Sequence, residues 1–261
     1  MKIIVCIKQV PDTTEVKLDP KTGRLIRDGV PSIINPDDKN ALEEAFRIKD
    51  ENPDTTVTVV SMGPPQADVA MREALAMGAD EAILISGREF GGSDTWATSY
   101  IIATAIKKIP DYDIIFCGRQ AIDGDTAQVG PQIAEQLNIP QITYVQKLDI
   151  EGDKVIVQRQ LEDGYTVVEA KMPVLLTAIK ELNTPRYMTP KGIFEAYNKT
   201  VQVWGFNDVP VDAEKIGLKG SPTNVNRTFS PEAKGKGIML EGADKETVKT
   251  LIAKLDEKHL L

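Results

Sequence analysis

The sequence predicts an α/β protein with a doubly wound parallel sheet, an antiparallel meander at one edge and a C-terminal arm. Through the first 140 residues, apolar runs alternate with amphipathic helical patterns, which is typical of a parallel sheet covered on both faces. From residue 144 the apolar period changes to two, which indicates antiparallel strands. After Pro190 the chain becomes rich in Pro and Gly with little periodicity. We therefore expect a main domain over residues 1–200 and an arm over residues 201–261.

The N-terminal half is predicted as repeated strand and helix units. A first strand over residues 2–7 precedes a charged hairpin over residues 16–29, and the next helix begins at Pro36 with Asn35 as its N-cap. The elements that follow are predicted from the spacing of apolar residues, which is continuous in the strands and helical in the helices. They are strands at 56–63, 81–87 and 113–118, and helices at 65–79, at 93–109 with Ser93 as N-cap, and from Thr126 onward.

The C-terminal half is predicted to add the antiparallel meander and one more buried strand to the sheet, and then to end in a helix outside it. The meander from residue 144 has turns at 151–153 and 163–164, and residues 173–179 read as a continuous buried strand. An amphipathic helix over residues 243–261 ends the chain.

Composition excludes several classes of function. The formal charge of −8 gives no electrostatic footprint for nucleic acid, and no run approaches the roughly 20 apolar residues that a membrane-spanning helix needs. Because the N-terminal apolar run is also too short for a signal peptide, we expect a cytoplasmic protein without membrane insertion. Cys6 and Cys117 lack metal-site spacing and read as buried thiols, and Asp123 with Asp125 supply too few ligands for a metal.

Catalytic side chains are scarce in this sequence. The one histidine, His259, lies in the charged terminal helix, so no Ser-His-Asp or Cys-His arrangement is available. We assign no catalytic residue. Any chemistry must come from a cofactor.

Two loops at the predicted carboxyl edge of the sheet have the composition of anion sites. In "FGGSDTWATS", Ser93, Asp94 and Thr95 begin a helix whose first amides face outward. In "AIDGDTAQ", Gly124 allows close backbone approach, and residues 126–128 present amides at a helix start. Phosphate is the expected ligand, although each loop could also be an ordinary well-capped turn.

Several segments together resemble the beta subunit of electron-transfer flavoproteins. They are "CIKQVPDT", "INPDDKNALEEA", "VSMGP", "REALAMGADEAILI", "GRQAIDGDTAQVGPQIAEQL" and "LNTPRYMTPKGIFEA". The resemblance implies an adenine-nucleotide-binding, Rossmann-like fold, a heterodimer with an alpha subunit on which the arm packs, and a nucleotide site. Asp94 and Thr95, from the predicted helix start, are added to the residues that the resemblance implies. The candidate cofactor-binding residues are then Cys6, Ile7, Lys8, Asn35, Asp38, Met62, Asp94, Thr95, Gly118, Arg119, Gln120, Ala121, Asp123, Gly124, Asp125, Thr126, Ala127, Gln128 and Val129.

The family has two branches that differ in this site. The housekeeping branch holds structural AMP, and its loop resembles "AIDDDCNQTGQ"; the bifurcating branch holds a second FAD. Here Gly124 and Ala127 remove charge and volume from that loop, which favours FAD. The resemblance then implies hydride acceptance from NADH, with one electron passed to ferredoxin or flavodoxin and the other through the alpha-subunit FAD to a dehydrogenase.

Three alternatives remain open from the sequence. A simple carrier with AMP in this site is one. An ATP-using enzyme of the related fold is another, although "KQVPDT" lacks its usual glycine-rich phosphate loop. The partner dehydrogenase is the third open point: Pro190 stands where the housekeeping branch carries the leucine that anchors acyl-CoA dehydrogenases, so the same loop could serve a different flavin dehydrogenase.

Overall fold

The computed structural model of the chain describes residues 1–12, 31–226, 235 and 237–261. Within them the strands are β1 Lys2–Cys6, β2 Gln9–Pro11, β3 Ser32–Ile34, β4 Thr56–Met62, β5 Glu81–Ile85, β6 Ile114–Gly118, β7 Gln141–Glu151, β8 Lys154–Gln160, β9 Tyr165–Lys171, β10 Val174–Ala178 and β11 Val201–Trp204. The helices are α1 Pro36–Glu51, α2 Asp68–Met77, α3 Thr95–Ile106, α4 Val129–Leu137, α5 Pro190–Asn198 and α6 Lys245–Asp256. The hairpin predicted over residues 16–29 lies wholly outside the described residues.

The main sheet has the order β11-β5-β4-β1-β6-β10-β7-β8-β9. From β11 to β7 each pair of neighbouring strands is parallel, and the β7–β8 and β8–β9 pairs are antiparallel. The chain moves outward from β1 through β4 to β5, then crosses back to place β6 on the other side of β1. This reversal creates a topological switch point between β1 and β6, where open α/β sheets bind ligands.

Alternate residues of the central strands feed two separate cores. Ile3 and Val5 of β1 pack with apolar residues of α1 and α2, whereas Ile4 and Cys6 pack with those of α3 and α4. Helices therefore cover both faces of the parallel strands, which confirms the predicted doubly wound α/β class.

The predicted antiparallel meander lies at the sheet edge, as expected. Its first strand, β7, begins parallel to β10 and bends at Tyr144, which has a φ of 57° and marks a shift in register. Beyond the bend, Leu148 and Ile150 pack against the core that includes Ile48 of α1. The bend thus brings the second half of β7 over the core on the α1 side of the sheet.

Structure beyond residue 200 differs from the sequence prediction. β11, which the prediction assigned to the arm, is the outer strand of the main sheet and pairs with β5. Val209 and Ile216 are also buried in the core under α3. The main body therefore extends past residue 200, because this short apolar run completes a sheet edge that would otherwise lie open. Helix α6 has no buried residue.

Within the described parts of the chain, no helix is long and apolar enough to cross a membrane.

Candidate functional site

A cleft of about 370 Å³ opens at the switch point, beside the carboxyl ends of β1 and β6. Its walls come from the ends of these strands, the start of α3 and the loop that leads into α4. The described residues that line it are Cys6, Ile7, Lys8, Asp38, Met62, Ser93, Asp94, Thr95, Thr98, Ile102, Cys117, Gly118, Arg119, Gln120, Ala121, Gly124, Asp125, Thr126, Ala127, Gln128, Val129 and Gly130.

Asp38 ties the two central strands together beneath this cleft. One carboxylate oxygen accepts from the backbone N–H of Lys8 at 2.7 Å, and the other accepts from the backbone N–H of Gly118 at 2.9 Å. Burial raises the pKa of Asp38 to about 7, against the opposing effect of these donors. Gly118 must lack a side chain here, since a Cβ would lie 2.2 Å from an Asp38 oxygen.

Asn35 occupies the predicted N-cap position of α1, but its side chain makes no capping bond. Its amide instead donates to the carbonyl of Gln120 at 2.8 Å and accepts from the backbone N–H of Ile122 at 3.1 Å. The predicted N-cap position is confirmed, but the side chain serves a tertiary contact instead of capping the helix. Through these two bonds the Asn35 side chain fixes the backbone of the loop after β6.

The acidic residues of that loop are paired and do not stand free. Lys8 Nζ contacts both carboxylate oxygens of Asp123, at 2.6 and 2.9 Å, and Asp125 accepts from the side-chain amide of Gln120 at 2.6 Å. Asp123 does not line the cleft. The Lys8–Asp123 pair fastens the loop to the residue that follows β1 by two positions, and the Gln120–Asp125 bond braces the loop internally.

Helix α4 begins at Val129, not at Thr126 as predicted. Asp125 and Ala127 have φ values of 53° and 52°, so the chain is in the left-handed region on both sides of Thr126 and cannot be helical there. None of the backbone amides from Thr126 to Gly130 donates to an acceptor among the described residues. A series of free amides at a helix start binds anions.

The start of α3 forms the opposite wall of the cleft. Asp94, not Ser93, is its N-cap, and its carboxylate accepts from the backbone N–H of Ala97 at 3.0 Å. The side chain of Ser93 instead donates to the carbonyl of Phe90. Thr95 Oγ donates to the side-chain oxygen of Gln128 at 3.1 Å, which joins the two walls across the cleft.

Arg119 contributes a positive charge at the rim. Its Nε lies 3.3 Å from a carboxylate oxygen of Asp37, but neither atom is in hydrogen-bond geometry with a partner. Burial raises the pKa of Asp37, and Arg119 opposes that rise. The Tyr144 ring lies 5.9 Å from the guanidinium, placed there by the bend in β7.

Residues 22–209 match the model of the electron transfer flavoprotein domain. The chain belongs to the electron transfer flavoprotein family. It is 62% identical to an electron transfer flavoprotein subunit beta from Thermoanaerobacterium thermosaccharolyticum, and the match covers the whole length of both chains. It is also 58% identical to the caffeyl-CoA reductase-Etf complex subunit CarD of Acetobacterium woodii and 53% identical to the acryloyl-CoA reductase electron transfer subunit gamma of Anaerotignum propionicum, with full coverage of both chains in each case. The resemblance to beta subunits of this family is confirmed.

The cleft brings together nearly all the residues that the electron transfer flavoprotein resemblance and the loop chemistry had suggested. Asn35 and Asp123 are the exceptions, since both hold the loop after β6 without lining the cleft. Sequence reasoning missed the lining residues Thr98, Ile102, Cys117 and Gly130. Thr98 and Ile102 follow Asp94 and Thr95 at helical spacing, so the predicted helix could have identified them.

Cys117 lies at the floor of the cleft beside Cys6. The neighbouring Cys6 thiol and burial both raise the pKa of Cys117, so the thiol stays protonated. Both cysteines are buried and unbridged, as the sequence predicted. No group of three or more metal-binding side chains occurs among the described residues.

Proposed function

We propose that this chain binds FAD in the cleft between β1 and β6 and acts as the beta subunit of an electron-bifurcating electron transfer flavoprotein. When bound, FAD would supply hydride acceptance from NADH and transfer of single electrons to ferredoxin or flavodoxin and to an alpha-subunit FAD. The side chains of this chain would bind and orient the cofactor, without acting as nucleophile or base. The proposed compartment is the cytoplasm.

The proposal is carried by the row of amides from Thr126 to Gly130, which find no acceptor in the part of the chain that the structure describes. A diphosphate needs more donors than a single phosphate, and a row of amides along one wall offers them. An ideal Cβ at Gly124 meets nothing within 4 Å, so this part of the loop faces open space. The small side chains at Gly124 and Ala127 leave that space available to the rest of a dinucleotide.

Charge in the cleft also suits a diphosphate. Lys8 and Arg119 both line it, and each is held in place by a carboxylate, Asp123 and Asp37 respectively. Asp123 lies outside the lining but offsets part of the Lys8 charge at 2.6 Å, and the carboxylates of Asp94 and Asp125 also line the cleft, so the two cationic side chains would act on a diphosphate together with the backbone amides. Asp38 faces the cleft floor, where its two backbone donors compensate its charge.

Two exposed apolar surfaces support the proposed protein partners. Val248, Leu251 and Ile252 lie on one face of α6 and are about half exposed, which suits packing of the arm on the alpha subunit. Tyr187, Phe194 and Tyr197 on and before α5 are 72 to 92% exposed, and we infer that they dock the dehydrogenase. The relatives named for caffeyl-CoA and acryloyl-CoA reductases support a partner of the acyl-CoA type.

The α6 surface gives a direct prediction. We expect Leu251→Asp to weaken association with the alpha subunit by roughly tenfold, because a carboxylate would be buried in an apolar contact. Thr250→Asp introduces the same charge at the neighbouring, polar position and should leave association nearly unchanged. Sedimentation or calorimetric titration of the two subunits measures both. Equal affinities for the two variants would remove α6 from the interface.

The proposal as a whole is tested by the nucleotides released on denaturing the purified two-subunit complex. We expect two FAD molecules per complex and no AMP, together with reduction of flavin by NADH. One FAD with one AMP would instead establish the alternative of a simple electron carrier. Because the chain belongs to the electron transfer flavoprotein family, an ATP-using enzyme of the related fold is not proposed.

A further inference from the structure

We propose that Asp94 is a positioning residue that couples the C-terminal arm to the nucleotide cleft. Residues 217–223, here named the arm root, hold the Asp94 carboxylate in place. Seating of the arm root would therefore raise the affinity of the cleft for an anionic nucleotide. This inference rests on the proposed nucleotide site, but it concerns how that site is controlled.

The arm root is bonded directly to the loop that begins α3. The backbone N–H of Gly217 donates to Ser93 Oγ at 3.0 Å, and the backbone N–H of Asp94 donates to Ser221 Oγ at 2.8 Å. Ser221 is buried and donates in turn to the carbonyl of Gly217 at 2.6 Å. Gly217 has a φ of 63°, and a Cβ there would lie 2.5 Å from the carbonyl oxygen of Glu89. The backbone of the arm root is therefore packed directly against the backbone before α3, with no room for a side chain at Gly217.

The carboxylate of Asp94 is shared between the helix and the arm root. One oxygen accepts from the backbone N–H of Ala97, which belongs to α3, and the other accepts from the backbone N–H of Thr223 at 2.8 Å. Only the first of these bonds is a helix cap. The second depends on where the arm root lies.

Asp94 also lines the cleft, beside Ser93 and Thr95. A carboxylate at this place opposes a phosphate unless its charge is compensated by donors. When Thr223 is withdrawn, one oxygen of Asp94 loses its donor, and its negative charge acts more strongly on the cleft. When Thr223 is seated, the charge is turned toward the arm root and the amides of α3 remain available to the ligand.

Thr223→Pro removes the relevant N–H without altering any residue that lines the cleft, and Thr223→Ala is the matched control that keeps it. We expect Thr223→Pro to weaken binding of ADP to the full-length chain by about three- to tenfold, as measured by calorimetry, and Thr223→Ala to change it little. Ser221→Ala, which removes the acceptor of the Asp94 N–H, should act in the same direction. Equal ADP affinity in all these variants would refute the coupling.

The role of the carboxylate itself is tested with Asp94→Asn. Asparagine can still accept from Ala97, so the cap persists, but its amide carries no charge and cannot accept from Thr223 once the oxygen is used. In this background Thr223→Pro should have no further effect on ADP binding. If Thr223→Pro still weakened ADP binding by the same factor in this background, the arm root would act on the cleft without Asp94. If the unsubstituted chain and the complex both fail to bind ADP, the proposed nucleotide site fails instead.

Discussion

Replacing Gly124 by Asp together with Ala127 by Asn is expected to reduce the two-subunit complex from two bound flavins to one. The retained flavin would be the one on the alpha subunit, and reduction by NADH would be lost. Both positions line the cleft, and the space beside Gly124 is open. The new carboxylate would stand beside a phosphate, and the asparagine would fill part of the channel toward the rest of the dinucleotide.

The size of this effect follows from simple electrostatics. Like charges a few ångströms apart in a partly buried site oppose each other by about 1 to 4 kcal/mol, roughly five- to several-hundred-fold in affinity. The backbone should tolerate the change. Ala127 has a φ of 52°, a conformation that asparagine adopts more readily than alanine. Loss of flavin would therefore reflect charge and volume, not a distorted loop.

A neutral control separates charge from volume. The double variant Gly124→Asn with Ala127→Asn has nearly the same shape and lacks the carboxylate. Flavin released on denaturation, counted per complex, measures each variant. If the aspartate variant still carries two flavins, the loop does not contact the dinucleotide in the way proposed.

The second large effect concerns Asp38 and pH. An unfolded aspartate has a pKa of 3.8, whereas burial holds the pKa of Asp38 at about 7 in the folded chain. Between these values the folded state binds the proton that the unfolded state has released, so stability falls as pH rises through this window and levels off above it. The difference between pH 5 and pH 8 amounts to about 3 kcal/mol.

Asp38→Asn should remove this dependence, because asparagine does not titrate; its amide nitrogen cannot accept from a backbone N–H, so the variant also loses a constant amount of stability at every pH. Measured by urea unfolding of the full chain, the variant should gain about 3 kcal/mol relative to the unsubstituted protein between pH 5 and pH 8. Asp163→Asn, at an exposed turn, serves as the control and should show no such gain. If the variant and the unsubstituted protein differed in free energy of unfolding by the same amount at both pH values, the backbone donors of Lys8 and Gly118 would be keeping Asp38 ionised throughout.

Much of the fold could be predicted because its sequence signals are local. The alternation of apolar runs and helices gave the parallel sheet, and the change of period at residue 144 gave the meander. Helix starts were less secure. Ser93 and Asp94 are both good capping residues, and only the tertiary contacts of Ser93 with Phe90 and Gly217 decide between them. Likewise the left-handed residues Asp125 and Ala127 delay the start of α4, although neither is glycine.

The site was predictable in its location but not in its internal supports. The loops at the ends of β1 and β6 carry the residue types of a phosphate site. What holds them is long-range. Asn35 and Asp38 contact residues eighty or more positions away, and a pattern read along the chain carries no signal for such pairs. β11 was misassigned for the same reason, since a run of four residues has too little periodicity to be recognised as a strand until β5 is placed beside it.

The pairing of β1 with β6 has a consequence for synthesis on the ribosome. These strands are joined in register at residues such as Ile3 and Ile114, so β1 can pair early with β4 but must wait for more than a hundred further residues before its second partner exists. Contacts of such sequence separation form slowly. The growing chain can complete β1, β4 and β5 early, yet the ligand pocket stays unformed until β6 and α4 have left the exit tunnel. Cofactor binding in this cleft therefore cannot guide the early stages of folding, and one side of β1 stays unpaired until β6 is made.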